Sequence, residues 1–285
     1  MVRKKERFSG SSDKVNAAKG NMDFLSYKAN DHSIRKRRAV IKHRGDTQKA
    51  ENYKGIPFHA ANGVHQVVSE LLCERLMRGS KVADIGAGHG ALSARLHDAG
   101  FDVTAFDLDC KDWLAKDVTC HECDINESLD TLIEHGPYQA ICAIEVIEHL
   151  ENPRGFLRDL IESNRTEGTW LVISTPNPLD TFSCIAMFTR GIFNWFSPQH
   201  YRGGGHISIL PHWLIDEHLE YLGVVDRQWR FLSPFRHPLS WKHIIYRGVS
   251  WLRRLASRSG SEAFFEGETA LVIVRLDSAG NLSEE

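Results

Sequence analysis

The chain has 285 residues, 42% hydrophobic and 25% charged, with a net charge of −2, which suits one large soluble α/β domain with extensions. That balance excludes a strong overall field for nucleic acid or acidic lipid. No secretory signal and no bilayer-length apolar run is visible, and six cysteines are too sparse for a dense disulfide framework, so a reducing, cytoplasmic setting is expected.

In chain order, the charge is uneven at the start. Residues 1–54 hold 15 of the 35 Lys and Arg but 6 of the 37 Asp and Glu, so a basic arm precedes an acidic body. The arm lacks apolar periodicity and is expected to be disordered. Its Arg35-Lys36-Arg37-Arg38 run reads as solvated charge, with a nuclear signal or anion patch as the alternative. Residues 55–285 are expected to form the folded domain.

The spacing of Val64, Val67, Val68, Leu71, Leu72 and Leu76 predicts a helix over 61–77. A strand over 81–85 leads into Gly86-Ala87-Gly88-His89-Gly90 and a helix over 91–99, stopped by Gly100. Strands are expected over 102–107, 117–123 and 138–144. Cys120 and Cys123 form a lone C-x-x-C, read as edge-of-sheet cysteines because no second ligand pair accompanies them. Asn152-Pro153 opens a helix to about Ser163. A strand over 169–174 is followed by an aromatic loop or lid over 178–209, a helix over 211–222 and a strand over 224–232. A helical insertion over 234–265 precedes a last strand over 270–276. Strands alternating with helices predict a Rossmann-like, doubly wound α/β fold with a mostly parallel sheet.

In such sheets the ligand sits beyond the carboxyl ends of the strands, at the switch point. Gly86, Gly88 and Gly90 occupy the first strand-to-helix loop, where glycine permits a tight turn and close backbone approach. With Ala91 they also satisfy a dinucleotide pattern. Asp84 separates the two readings. A carboxylate there repels a pyrophosphate and favours the ammonium and sulfonium of S-adenosylmethionine (SAM). Asp107, with Leu108 beside it, ends the second strand where an acid can accept from both ribose hydroxyls. Asp124 ends the third strand within reach of an adenine amino group, and Ile125 lies beside the ring.

This series, Val82 to Gly90, then Asp107, Asp124-Ile125 and Glu145-Val146-Ile147-Glu148-His149-Leu150, resembles the class I SAM-dependent methyltransferases over about residues 60–232 and the last strand. The resemblance implies a seven-stranded sheet with an antiparallel last strand, SAM as cofactor, ribose on Asp107, and the methionine end of SAM near the Gly86–Gly90 loop, bordered by Glu145.

Glu145, Glu148 and His149 have i, i+3, i+4 spacing, which places all three on one side of a helical turn. Two carboxylates and an imidazole suit Mg²⁺ or Mn²⁺. The segment resembles those of the ubiquinone-biosynthesis O-methyltransferases and of small-RNA 2′-O-methyltransferases. The latter resemblance implies a fourth ligand, for which His206 is the candidate and His200 the competitor. Two further readings stand beside the metal: Glu148 and His149 as catalytic groups, with His149 a general base, or both as caps of the following helix.

The expected acceptor is a small molecule such as a quinone precursor, lipid or sugar intermediate. RNA is the less favoured alternative, given the acidic body, and a nicotinamide oxidoreductase a third. The apolar stretch 182–196 and the basic amphipathic stretch 239–258 can pack on the sheet or touch a membrane surface peripherally.

Overall fold

The computed structural model describes residues 52–58, 60–165, 168–234, 241–256 and 267–276. The expected basic arm lies outside them except for its last three residues, as do 235–240 and 257–265 of the expected insertion.

A short antiparallel hairpin, β1 (Asn52–Tyr53) and β2 (Ile56–Pro57), precedes helix α1 (Val64–Cys73). The sheet strands follow as β3 (Lys81–Ile85), β4 (Asp102–Asp107), β5 (Thr119–Glu122), β6 (Ala140–Ile144), β7 (Thr169–Pro176), β8 (Arg227–Pro234) and β9 (Gly267–Leu276). Between them lie α2 (Ala91–Asp98), α3 (Asp130–Glu134), α4 (Pro153–Ser163), α5 (Thr181–Arg190), α6 (Pro198–Gly203), α7 (His212–Tyr221) and α8 (Trp241–Ala256). The seven-stranded order is β5-β4-β3-β6-β7-β9-β8. Neighbours from β5 through β7 run parallel, and β9 runs antiparallel to both β7 and β8. The expected doubly wound sheet with an antiparallel last strand is the fold observed.

Alternation along the strands separates two apolar layers. Ala83 and Ile85 of β3 and Ile141 and Ala143 of β6 pack with Leu157, Leu160 and Ile161 of α4 and Leu219 of α7. Val82, Ala140 and Cys142 face the other way, onto Val68 and Leu72 of α1 and Leu92 and Leu96 of α2. Burial on both faces explains why β3, β6 and β7 read as near-continuous apolar runs.

Two features departed from expectation. The lid is not a loop: it folds as α5 and α6. Asp180 caps α5, its Oδ1 accepting from the N–H groups of Phe182 (2.7 Å) and Ser183 (3.1 Å), and Ser197 caps α6 with Pro198 in its first turn. The cysteines also differ. Cys110 and Cys120 form a disulfide with Cα atoms 6.0 Å apart, so Cys120 is bonded outside its C-x-x-C, while Cys73, Cys123, Cys142 and Cys184 are free. The periodicity that revealed the longer helices is too short to read in α3.

The chain reverses its strand order between β3 and β6, and this opens the crevice. The loop after β3 touches the loop after β6 there: Gly86 has φ +67°, and a Cβ on it would lie 2.4 Å from Val146 Cγ2. Gly86→Ala is therefore expected to cost about 1–3 kcal/mol through backbone strain and overpacking. Urea denaturation checks this; an unchanged midpoint would show that the two loops are not in contact.

Candidate active site

The glycine loop forms an open floor. Gly86 and Gly88 are exposed, and Gly86, Gly88 and Gly90 all have positive φ. The N–H of Gly86 donates to Phe106 O (2.7 Å), and that of Gly88 donates to Asp107 Oδ2 (2.8 Å). Asp107 thus braces the loop from the adjacent strand end. Its carbonyl accepts from Cys123 N (2.8 Å), which brings the end of β5 alongside. Leu108 is half-buried next to it. Asp124 Oδ1 accepts from Asn126 N (3.1 Å) in a local turn, and Ile125 packs against the apolar layer below. Asp107 meets the glycine loop directly, and Asp124 follows Cys123 beside it.

Asp84 is the exception in its surroundings. It does not line the open floor: it is 2% exposed and accepts a hydrogen bond from Ser93 Oγ of α2 at 2.5 Å. Alternation along β3 forces this, because Asp84 follows Val82 onto the α1–α2 face. Burial raises its carboxyl to about 7, and the neighbouring Asp107 adds to the effect. Ser93 was not anticipated; its only sequence signal is its place one turn into the helix after the glycines.

Past β6, the expected helical turn is a 3-10 turn, Ile147–His149. It splits the Glu-x-x-Glu-His group. Glu145 adopts φ +55°, and its Oε1 accepts from Ser174 Oγ of β7 (3.0 Å), while its own N–H donates to the same oxygen (3.1 Å). Burial raises Glu145 to about 7. Glu145 therefore stands apart from the group of potential ligands.

That group is Glu148, His149 and His206, whose ligand atoms lie within 4.8 Å of one another. Glu148 is fully buried. The buried Thr175 hydroxyl lies beside it and lowers its pKa, yet neither carboxylate oxygen makes a hydrogen bond of normal geometry. Burial, together with Glu145, holds Glu148 well above the ordinary carboxylate range. His149 Nδ1 lies 3.1 Å from Gly205 O, and its Nε2 lies 3.9 Å from Glu148 Oε1. His206 Nδ1 lies 2.9 Å from Trp195 O. Each carbonyl can only accept, so each Nδ1 carries a proton, and in the neutral ring each Nε2 keeps its lone pair. Burial lowers His206 to about 4, with His149 and His200 adding to the effect. His200 instead bonds Ser197 Oγ through Nδ1 (2.8 Å). The orienting carbonyls of Trp195 and Gly205 leave no trace in the sequence, since any residue has a carbonyl.

Asp84 makes the electrostatics testable. Its folded pKa of about 7 exceeds its ordinary 3.8. The stability it contributes is complete below about pH 3.8 and is lost as pH rises toward 7. Asp84→Asn, neutral throughout, should gain in melting temperature relative to the parent as the cofactor-free protein is moved from pH 5 to pH 8. A difference that does not change with pH would show that Asp84 is not buried as a charge.

A family model described as a methyltransferase domain matches residues 59–248. Among curated relatives, the ubiquinone biosynthesis O-methyltransferase of Xanthomonas campestris pv. campestris (strain B100) is 25% identical over 189 residues, covering 61% of this chain and 77% of that one. The mitochondrial ubiquinone biosynthesis O-methyltransferase of Schizosaccharomyces pombe is 32% identical over 120 residues, covering 38% and 42%. Among solved structures, Haemonchus contortus phosphoethanolamine N-methyltransferase 2 in complex with S-adenosyl-L-methionine matches with a TM-score of 0.50 at 15% identity, covering 77% of this chain and 54% of that one. That likeness speaks for the fold alone. The match to the family model spans both the glycine floor and the turn after β6, and the chain belongs to the methyltransferase domain family as a class I SAM-dependent methyltransferase.

Proposed function

We propose that this enzyme transfers the methyl group of SAM to a hydroxyl oxygen of a small-molecule acceptor presented to Glu148, His149 and His206. The observation that carries the reading is the buried Glu148 carboxylate, without a normal hydrogen bond, facing two imidazoles whose Nδ1 atoms are tied to backbone carbonyls. The names of the curated relatives support oxygen as the acceptor atom. In methyl transfer the acceptor oxygen attacks the sulfonium methyl, S-adenosylhomocysteine (SAH) leaves, and the hydroxyl proton must be taken up.

On the cofactor side, Gly86, Gly88 and Gly90 let the backbone approach the methionine end of SAM. Asp107 takes the ribose hydroxyls with Leu108 beside it, and Asp124 and Ile125 take the adenine. Glu145 supplies negative charge near the ammonium and sulfonium, and Asp84, buried behind the glycine loop, adds its charge only from a distance.

On the acceptor side, Glu148, His149 and His206 have the chemistry of a divalent-cation site. One buried carboxylate supplies charge and two neutral imidazoles supply Nε2 lone pairs. Bound Mg²⁺ or Mn²⁺ would lower the pKa of an acceptor hydroxyl. Without a metal, His149 Nε2 is the base within the cluster, and Glu148 stabilises the imidazolium it becomes. The acidic body counts against the 2′-hydroxyl of RNA as acceptor.

Peripheral membrane contact, one of the two readings of 182–196 and 239–258, has support at the surface. Phe188 on α5 is 92% exposed, and Trp251 on α8 is 59% exposed. Arg253 ties the two helices together by donating to Thr181 Oγ1 (3.3 Å) and Leu179 O (2.9 Å). These groups suit peripheral contact with a lipid surface, and among the described residues no helix is long and apolar enough to cross a membrane.

Two measurements test these assignments. Asp107→Ala should weaken SAH binding in calorimetry by about ten-fold; full affinity would show that the ribose contact is misplaced. Mn²⁺ should raise the melting temperature of the parent by several degrees and leave Glu148→Gln and His206→Ala unmoved. Turnover that is unchanged in EDTA would remove the metal and leave His149 as the base.

A further inference from the structure

Between the end of β4 and the start of β5 the chain runs from 108 to 118 without helix or strand. Leu114 there is 47% exposed. This turn is nevertheless pressed against the glycine loop. The N–H of Leu114 donates to His89 O (3.1 Å), and His89 Nδ1 lies 3.0 Å from Asp112 O. A Cβ on Gly90 would lie 2.6 Å from Ala115 Cβ and 2.7 Å from the Trp113 ring. The Trp113 indole N–H holds the turn closed by donating to Ala115 O (2.8 Å) and Val118 O (2.9 Å).

The disulfide joins the two ends of this turn. Cys120 is fixed in the sheet, paired with Ala105 of β4. Cys110 lies three residues past Asp107, in the stretch where Asp109 N donates to Asp107 Oδ1 (3.3 Å). The other carboxylate oxygen of Asp107 receives Gly88 N. One strand end is thus tied to the glycine loop on one side and to the bridged turn on the other. Both cysteines are half-buried, within reach of a small thiol.

We propose that the Cys110–Cys120 disulfide is a redox-controlled clamp on the cofactor loop, which holds the Trp113–Ala115 turn over His89 and Gly90 when closed and weakens SAM binding when opened. The proposal rests on SAM occupying the Gly86–Gly90 loop. Opening is a two-electron reduction by an external thiol. Two reductant thiols form one new disulfide as the Cys110–Cys120 S–S bond breaks, and the two cysteine sulfurs take up the two protons released. Binding must then re-order a loosened turn, and the cost appears as lost affinity.

The test uses the full chain, air-oxidised or reduced with dithiothreitol. Alkylation in denaturant should count four thiols in the oxidised form, Cys73, Cys123, Cys142 and Cys184, and six after reduction. Calorimetry with SAH should show about five-fold weaker binding to the reduced form. The double variant Cys110→Ser, Cys120→Ser should match the reduced form and ignore dithiothreitol. Six thiols in the oxidised sample would overturn the clamp, as would equal SAH affinity in the two redox states. A double variant that binds as tightly as the oxidised parent would also overturn it. Loss of SAH binding in both states would instead remove the cofactor-loop assignment, and the clamp with it. The comparison of oxidised with reduced parent needs no substitution, so a poorly folding variant does not block the decision.

Discussion

Negative charge held out of water is the constraint on which the site depends. Asp84, Glu145 and Glu148 lie at or just past the carboxyl ends of β3 and β6, and burial raises the pKa of each. A buried carboxylate costs several kcal/mol unless it is protonated, hydrogen-bonded or paired with a cation. Asp84 and Glu145 each have one serine hydroxyl, and Glu148 lacks even a hydrogen bond of normal geometry. A cation placed beside such carboxyls favours their charged form and lowers that cost. SAM brings an ammonium and a sulfonium, and a divalent metal would bring two charges to Glu148.

The sheet topology creates this concentration of acids. Reversal of strand order at β3 and β6 brings the loops past both strand ends together, with Glu145 and Glu148 after β6 and Asp84 buried behind the loop after β3. Gly86 against Val146 fixes how near the two loops come. From the other side, the lid reaches over through Trp195 and Gly205, whose carbonyls orient His206 and His149. Trp195 holds φ +66° in doing so, a conformation that a non-glycine residue adopts only at a cost. The lid thus orients both imidazoles of the Glu148, His149 and His206 cluster.

Much of this was legible in the sequence, and the misses have physical causes. The strands were readable because burial on both faces makes them almost uniformly apolar, and the glycine loop because its left-handed positions exclude side chains. His206 was reachable only through resemblance, since it lies 57 residues beyond His149 in the chain and nothing local marks it. Position at a strand end does not reveal that a strand's period of two sends Asp84 inward to Ser93, although it is charged. Helical spacing groups Glu145 with Glu148, but the left-handed backbone of Glu145 breaks that spacing and turns it to Ser174. The Cys110–Cys120 bridge was invisible because the pairing depends on β5 lying beside β4, which no local pattern encodes.

Proton release on cofactor binding tests the electrostatic claim most directly. Calorimetric titrations of SAM and SAH in buffers of different ionisation enthalpy, at about pH 6.5, on the acid side of the raised pKa of Glu145, give the number of protons exchanged. A cation arriving beside Glu145 drives protons off, so SAM should release protons and release more than SAH, which lacks the sulfonium charge. Equal proton counts for the two ligands, or proton uptake with SAM, would contradict the account.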